Sequence, residues 1–466
     1  MTQHRTFAAA RVLVWSMRLL WLASVLVVFA LATAVGAGAA GTSTVRWAVS
    51  GGGTGGDDAD GIGTDAKGRI VISGGFDGAG SRGSADVFAT AYGKRGRVLW
   101  TRRFGGPGAD QAFDNDVDPR GDAAITGSFN DTVDFGGPVL VSRGANLPRY
   151  GDAFLLNLGR GGRTKWIRQI GGTGSDGGDE VAIGPHRNIY VIGDANGPVT
   201  FTPSVTLPPT GGRDAWAARY RPDGSLVWAR SLGGTGEQQS HGISADFGGK
   251  TLVTGEFQGA SQFGSVRLDS AGTQPDAFIA KLDRLGRVLW AKRFGDGDFE
   301  MGRGIDADSH GRIYFSGEFQ GTLQLGSTTL TSAGAHDMFL AKATRVGRVL
   351  WAISMGGAGP ETGPEVETDP DGNSYLTATF SGTARIGSHT LTTTGARGAF
   401  VAKVSPAGRV LWVVQSTDSG FATLGELSLG PNAVNVLGRF AGAMRFGPFA
   451  LTGAGATDYF VASLKR

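Results

Sequence analysis

The segment "DAFIAKL" (276–282) alternates apolar and polar residues, the period of a half-buried strand. "DRLG" (283–286) follows as a turn whose last position calls for glycine, and "RVLWAKRF" (287–294) reads as the returning strand. After a glycine loop, "GRGIDADSHGRIYFSGEF" (302–319) reads as a second hairpin turning at "DSHG". The pattern predicts four strands and no helix in this stretch. "LQLGSTTLTSAG" (323–334) reads as a small inserted hairpin.

This unit is written repeatedly. Trp recurs at 47, 100, 166, 228, 290, 351 and 412. A second motif begins at 86, 152, 214, 276, 337, 398 and 458, reading "DVFAT", "DAFLL", "DAWAA", "DAFIA", "DMFLA", "GAFVA" and "DYFVA". Gly stands four residues before each Trp from Trp100 onward, and the inserted hairpin has an apolar anchor at Phe135, Phe201, Phe263, Leu325, Ile386 and Phe446. Such a repeat predicts an all-β fold, a seven-bladed β-propeller with four strands per blade. The blades are expected near 51–105, 106–171, 172–233, 234–295, 296–356, 357–417 and 418–466 plus 43–50. The lone Trp strand "TVRWAVS" (44–50) is expected to complete the last blade, since "DYFVASLKR" lacks a returning partner. The Trp is expected to pack between blades, and the glycine pairs to let the chain turn between outer and inner strands without Cβ clashes.

The order of D-x-F, G-x-x-x-W, GG and D-x-x-G-x-x-Y elements resembles the bacterial SBBP propeller repeat over essentially all of 44–466. Gly398, "GPHRN" (184–188) and "GPNAV" (430–434) depart from its pattern. The resemblance implies an exported or surface-associated propeller and implies no reaction. The D-x-x-G-x-x-x-W run also resembles quinoprotein-type repeats, but no set of cofactor ligands accompanies it, so that likeness is architectural.

The chain's 80 Gly and 17 Pro among 466 residues fit many short strands joined by tight turns. The N-terminus stands apart. Arg5, Arg11 and Arg18 precede an apolar run from Leu19 to Val35 and the small residues "GAGAAGTS" (36–43). Residues 1–40 read as an export signal, or as a membrane anchor if uncleaved, with 41–466 as a single propeller domain. The absence of Cys excludes disulfides and thiol chemistry. Removing the leader's three Arg leaves 41 basic against 41 acidic residues. A neutral remainder argues against nucleic acid as partner.

Catalytic signatures are missing. There is no H-E-x-x-H or G-x-S-x-G, and His186, His241, His310, His336 and His389 are never at paired ligand spacing. "GGKT" (248–251) has Ser244 where a phosphate loop needs Gly. "DNDVD" places Asp114, Asp116 and Asp118 at alternate positions, a spacing similar to Ca²⁺ loops of FG-GAP propellers, yet Asp118 has the simpler task of opening the "DPRG" turn. No metal site or cofactor is assigned.

Positions just after the "IYFSG" strand vary from copy to copy. Three consecutive blades contribute Asp194, Glu256 and Glu318, each followed two residues on by an amide: Asn196, Gln258 and Gln320. Alternation is expected to bury the intervening Phe and expose the flanking pair at one rim. This acidic, amide-bearing patch is the candidate binding site for sugar hydroxyls, a cation or a basic peptide.

The sequence thus points to an exported, non-enzymatic propeller acting as a binding or scaffold module at the cell envelope, whether periplasmic, surface-bound or extracellular. Its partner would be a protein or a glycan, with membrane contact only through an uncleaved N-terminal segment. The alternatives are a polysaccharide hydrolase or lyase using Glu256 and Glu318, and a Ca²⁺-stabilised adhesion propeller using Asp114, Asp116 and Asp118.

Overall fold

The computed structural model describes residues 44–77, 81–144, 151–418 and 420–466. The expected leader lies outside the described residues. Seven sheets of four antiparallel strands make up a seven-bladed β-propeller. Blade one shows the plan: Asp57–Thr64, Ile70–Phe76, Asp86–Tyr92 and Val98–Phe104 pair in order from the channel outward. The last blade departs in one respect. Its outermost strand is Val45–Gly51, hydrogen-bonded antiparallel to Asp458–Lys465. The ring is therefore closed by the N-terminal strand, as expected. Among the described residues, no helix is long and apolar enough to cross a membrane.

The recurring Trp locks each blade to the next. The Trp100 indole N–H donates to the Arg160 carbonyl (3.0 Å), Trp166 to Pro222 (2.9 Å) and Trp351 to Pro406 (3.1 Å). In every case the acceptor lies in the following blade's turn, and the ring covers that turn's glycine. Those glycines, such as Gly162 (φ 76°), sit in the left-handed region, which explains their recurrence.

The glycine pairs are needed, as expected, because a Cβ would clash there. A Cβ on Gly106 would run into the Thr132 carbonyl of the inserted hairpin, and one on Gly105 into the Asp86 carboxyl. The inserted hairpins are clipped down by their anchors. Phe135, Phe263, Ile386 and Phe446 are fully buried, and Phe135 packs on Phe104 and Phe154. Burying one such ring is worth roughly 1.5–3 kcal/mol.

One expectation fails. Asp276–Leu282 is not half-buried; all seven of its residues are buried, as are those of Ile313–Phe319. Each second and third strand is covered by the neighbouring blades on both faces, so polar residues there must find partners inside. Lys281 does so with Asp246 at 2.8 Å. The outermost strand, Val288–Phe294, is the half-exposed one.

Candidate functional site

The innermost strands start at the face that carries the glycine loops and the inserted hairpins, and run down the channel. Each carries a register shift near its middle, for instance between Gly178 and Glu180 and between Ser240 and Gly242. The extra residue turns a side chain toward the axis. The result is a channel lined with carboxyls: Asp114, Asp116, Glu180, Asp306, Glu365, Glu367 and Glu426.

Most of these carboxyls have a structural duty. The edge of each inner strand presents N–H groups to the preceding blade, and a buried N–H needs an acceptor. Asp114 accepts from Val181 (2.8 Å), Asp116 from Ile183 (2.7 Å), Glu180 from Ile243 (2.9 Å), Asp306 from Thr368 (2.8 Å) and Glu367 from Leu429 (2.7 Å). Burial pushes Asp116 and Asp306 up to about 6 and Asp114 up to about 8, and the N–H donors oppose it. The third aspartate of "DNDVD" differs. Asp118 caps its turn by accepting from Arg120, Gly121 and Asp122, and pairs with Arg187. The three carboxyls thus serve separate partners, Asp114 and Asp116 on the next blade's inner strand and Asp118 in its own turn.

Toward the glycine-loop face lies a cavity of about 320 Å³, lined among others by Asp179, Asp194, Arg213, Ser240, His241, Arg303, Glu365 and Glu426. The predicted patch meets this mouth in a way alternation did not foresee. Asp194 lies on its wall. Glu256 and Glu318 are buried (8 % and 4 % exposed), not exposed at a rim, because the strand face opposite the Phe packs on the next blade. Glu318 accepts from the Gly363 N–H (2.9 Å) and from Arg303 Nε (3.2 Å). Glu256 Oε1 stands 3.9 Å from His241 Nε2, too far for a hydrogen bond, and His241 Nε2 and the other Glu256 oxygen, Oε2, are buried without hydrogen-bond partners among the described residues. Asn196, Gln258 and Gln320 are exposed as expected, beyond the ends of the buried stretch. The carboxyls and the amides therefore do not form one patch.

Electrostatics at the mouth favour partly protonated acids. Burial pushes Asp194 up to about 7 against the Ser240 N–H, and Asp179 well up, with Asp194 adding to the burial. Glu365 is held at about 7 by burial, with Arg303 opposing. Glu426 is raised by burial and by Glu365. Burial also lowers His241, so its imidazole is neutral near pH 7, with Glu256 pulling the other way. Sequence reasoning missed Asp179, His241, Arg303, Glu365 and Glu426, since each is a bulge residue or its neighbour on a different inner strand and no shared motif links them.

No known family profile matches the chain. It is 25 % identical over 299 residues to an uncharacterised WD repeat-containing protein of Acanthamoeba polyphaga mimivirus, across 52 % of this chain and 21 % of that protein. The chain is a propeller repeat protein. It spans about a fifth of that relative's length. Among solved structures it resembles an ulvan lyase, a polysaccharide lyase, with TM-score 0.50 and 10 % identity over 87 % of this chain and 97 % of that one. An apocarotenoid oxygenase of Synechocystis is similar at TM-score 0.41 and 10 % identity, over 90 % and 93 %. At these identities the likeness is one of fold.

Proposed function

We propose that this propeller is a non-catalytic binding or scaffold module, exported to the cell envelope, that takes a protein or glycan partner at the acidic mouth of its channel. The observation that carries the reading is the division of labour among the carboxyls. Asp114, Glu180, Asp306 and Glu318 are spent on joining blades, while Glu365 and Glu426 accept no hydrogen bond among the described residues and face the cavity. Unspent acceptors beside Arg213 and Arg303 suit sugar hydroxyls or the basic side chains of a partner. The leader-like N-terminus and the repeat's resemblance support the envelope as its place. Thermal unfolding against oligosaccharides and basic peptides tests the reading. A ligand-dependent rise lost in Glu426→Gln supports it, and a ligand response unchanged by Glu426→Gln refutes the mouth as the site.

A second reading has one observation in its favour. His241 is a neutral imidazole within a cavity that also holds Arg303 and the raised carboxyl of Glu365, an arrangement able to exchange a proton with a sugar while a cation steadies a negative charge. This supports a polysaccharide-acting enzyme, lyase or hydrolase, like the lyase whose fold this chain shares. Incubation with uronic-acid polysaccharides distinguishes the two. Release of an unsaturated product, abolished by His241→Ala, favours the lyase, and bound but uncleaved polymer favours the module.

A further inference from the structure

Seven equivalent places recur around the ring, where the third strand of one blade begins beside the first strand of the next. At each, a backbone N–H of the inner strand donates to the carbonyl just before the third strand, as Glu300 does to Pro275 (3.0 Å) and Ala422 to Arg397 (3.1 Å). At five of the seven, both flanking residues are acids; the others are Asp214 with Gln238 and Gly398 with Ala422. The Gly398 junction closes without either carboxyl. The fold alone therefore does not demand a pair of like charges there, and burying such a pair uncompensated is costly.

The junction of blades four and five leaves the most unmet. Asp276 and Glu300 are both fully buried. Asp276 Oδ2 accepts from the Ala271 N–H and from Arg293 Nη1, each at 2.8 Å. Its Oδ1 and both Glu300 oxygens accept nothing. The Asp296 N–H, counterpart of the Gly357 donor to Glu361 (3.0 Å), points at Glu300 without reaching hydrogen-bond geometry. Asp276 Oδ1 and Glu300 Oε2 face each other across Gly295, at 2.5 and 2.6 Å from where a Cβ on that glycine would stand. The loop above, "GDGDF" (295–299), adds the exposed Asp296 and Asp298 at alternate positions.

A shared proton would serve two of the three orphaned oxygens and strand the third. A hard divalent cation takes all three, because it binds carboxylates one- or two-handed and fills its shell with carbonyls and water. Four carboxyls against the single guanidinium of Arg293 also leave a charge deficit that such an ion would cancel. We infer that the junction of blades four and five is a Ca²⁺-class cation site, with Asp276 and Glu300 as direct ligands and Asp296 and Asp298 supplying charge from the loop. No three such side chains converge at metal-holding distance among the described residues, so the two loop aspartates act through their field. The inference is independent of the channel mouth.

The test is Ca²⁺ titrated into the chelator-stripped full chain, followed by calorimetry and thermal unfolding. Saturable binding and a midpoint raised by several degrees are expected. Glu300→Gln removes this site. The double variant Asp296→Asn with Asp298→Asn, exposed and free of folding risk, weakens binding by about tenfold through lost ligand-site charge. Absence of binding heat together with an unchanged midpoint overturns the inference. So does Ca²⁺ binding that the loop variant leaves unaltered, which would place the ion elsewhere. A wild type indifferent to Ca²⁺ but stabilised by Glu300→Gln also overturns it, in favour of a shared proton.

Discussion

The Trp166 indole lies against Gly224, the turn glycine of the following blade, so closely that a Cβ there would stand 2.7 Å from the ring. Gly224 also has φ 79°. Gly224→Ala is therefore expected to lose about 1–2 kcal/mol from the left-handed backbone alone, and more from displacing the indole. Gly161, in the equivalent turn one blade earlier, has open space at its Cβ position, and Gly161→Ala should be close to neutral. Urea unfolding of the two variants checks this, and equal midpoints would contradict it.

The indoles are not equal. Trp100 Nε1 donates at 3.0 Å, whereas Trp228 Nε1 is buried without a partner. Trp100→Phe should cost about 0.5–1.5 kcal/mol for the lost hydrogen bond, beyond the change in packing. Trp228→Phe removes an unsatisfied donor and should cost less or even stabilise. The comparison is a pair of denaturation curves.

Glu318 holds two blades together through Gly363 and Arg303. Glu318→Ala should destabilise by about 1–3 kcal/mol, since two donors lose their acceptor. The exposed Gln320, two residues on, should tolerate Ala within about 0.5 kcal/mol. Chemical denaturation separates the outcomes.

Stability should fall as pH rises. Burial lifts Asp110 and Asp176 to about 7 and Glu361 to about 8. Unfolded, such groups titrate near about 4. Between these limits the native state holds protons that the unfolded chain has released, so its advantage is full at the acid end and is lost as pH climbs through 7 to 8. In chelator, the thermal midpoint should decline from pH 5 to 8, and a midpoint that rises over this range would be incompatible with these buried acids.

The ring was legible because its elements obey a period. Trp47 through Trp412, the turn glycines and the hairpin anchors recur from blade to blade, the last two six times for seven blades, and their contacts bridge blades. What one repeat cannot show is its neighbour. Glu256 and Glu318 read as rim residues because alternation assumes a wet face, and in a propeller that face is the next blade. The mouth residues His241, Arg303 and Glu365 come from different blades and share no motif. The acids at Asp110, Asp176, Glu300 and Glu361 did leave a signal, since each lies a fixed distance past a glycine loop, but it passes for an ordinary polar start to a strand.

The closing strand has a kinetic consequence. Trp47 sits opposite Ser463, nearly the whole described chain away. Val45–Gly51 cannot pair until Asp458–Lys465 exists, so the ring stays open until the last of the described strands is in place. Loop closure over that distance is slow, and a chain in which Val45–Gly51 is missing or not yet docked presents the Asp458 strand with a bare edge ready to pair with another molecule. Until the ring shuts, Val45–Gly51 competes with any other chain for the edge of Asp458–Lys465.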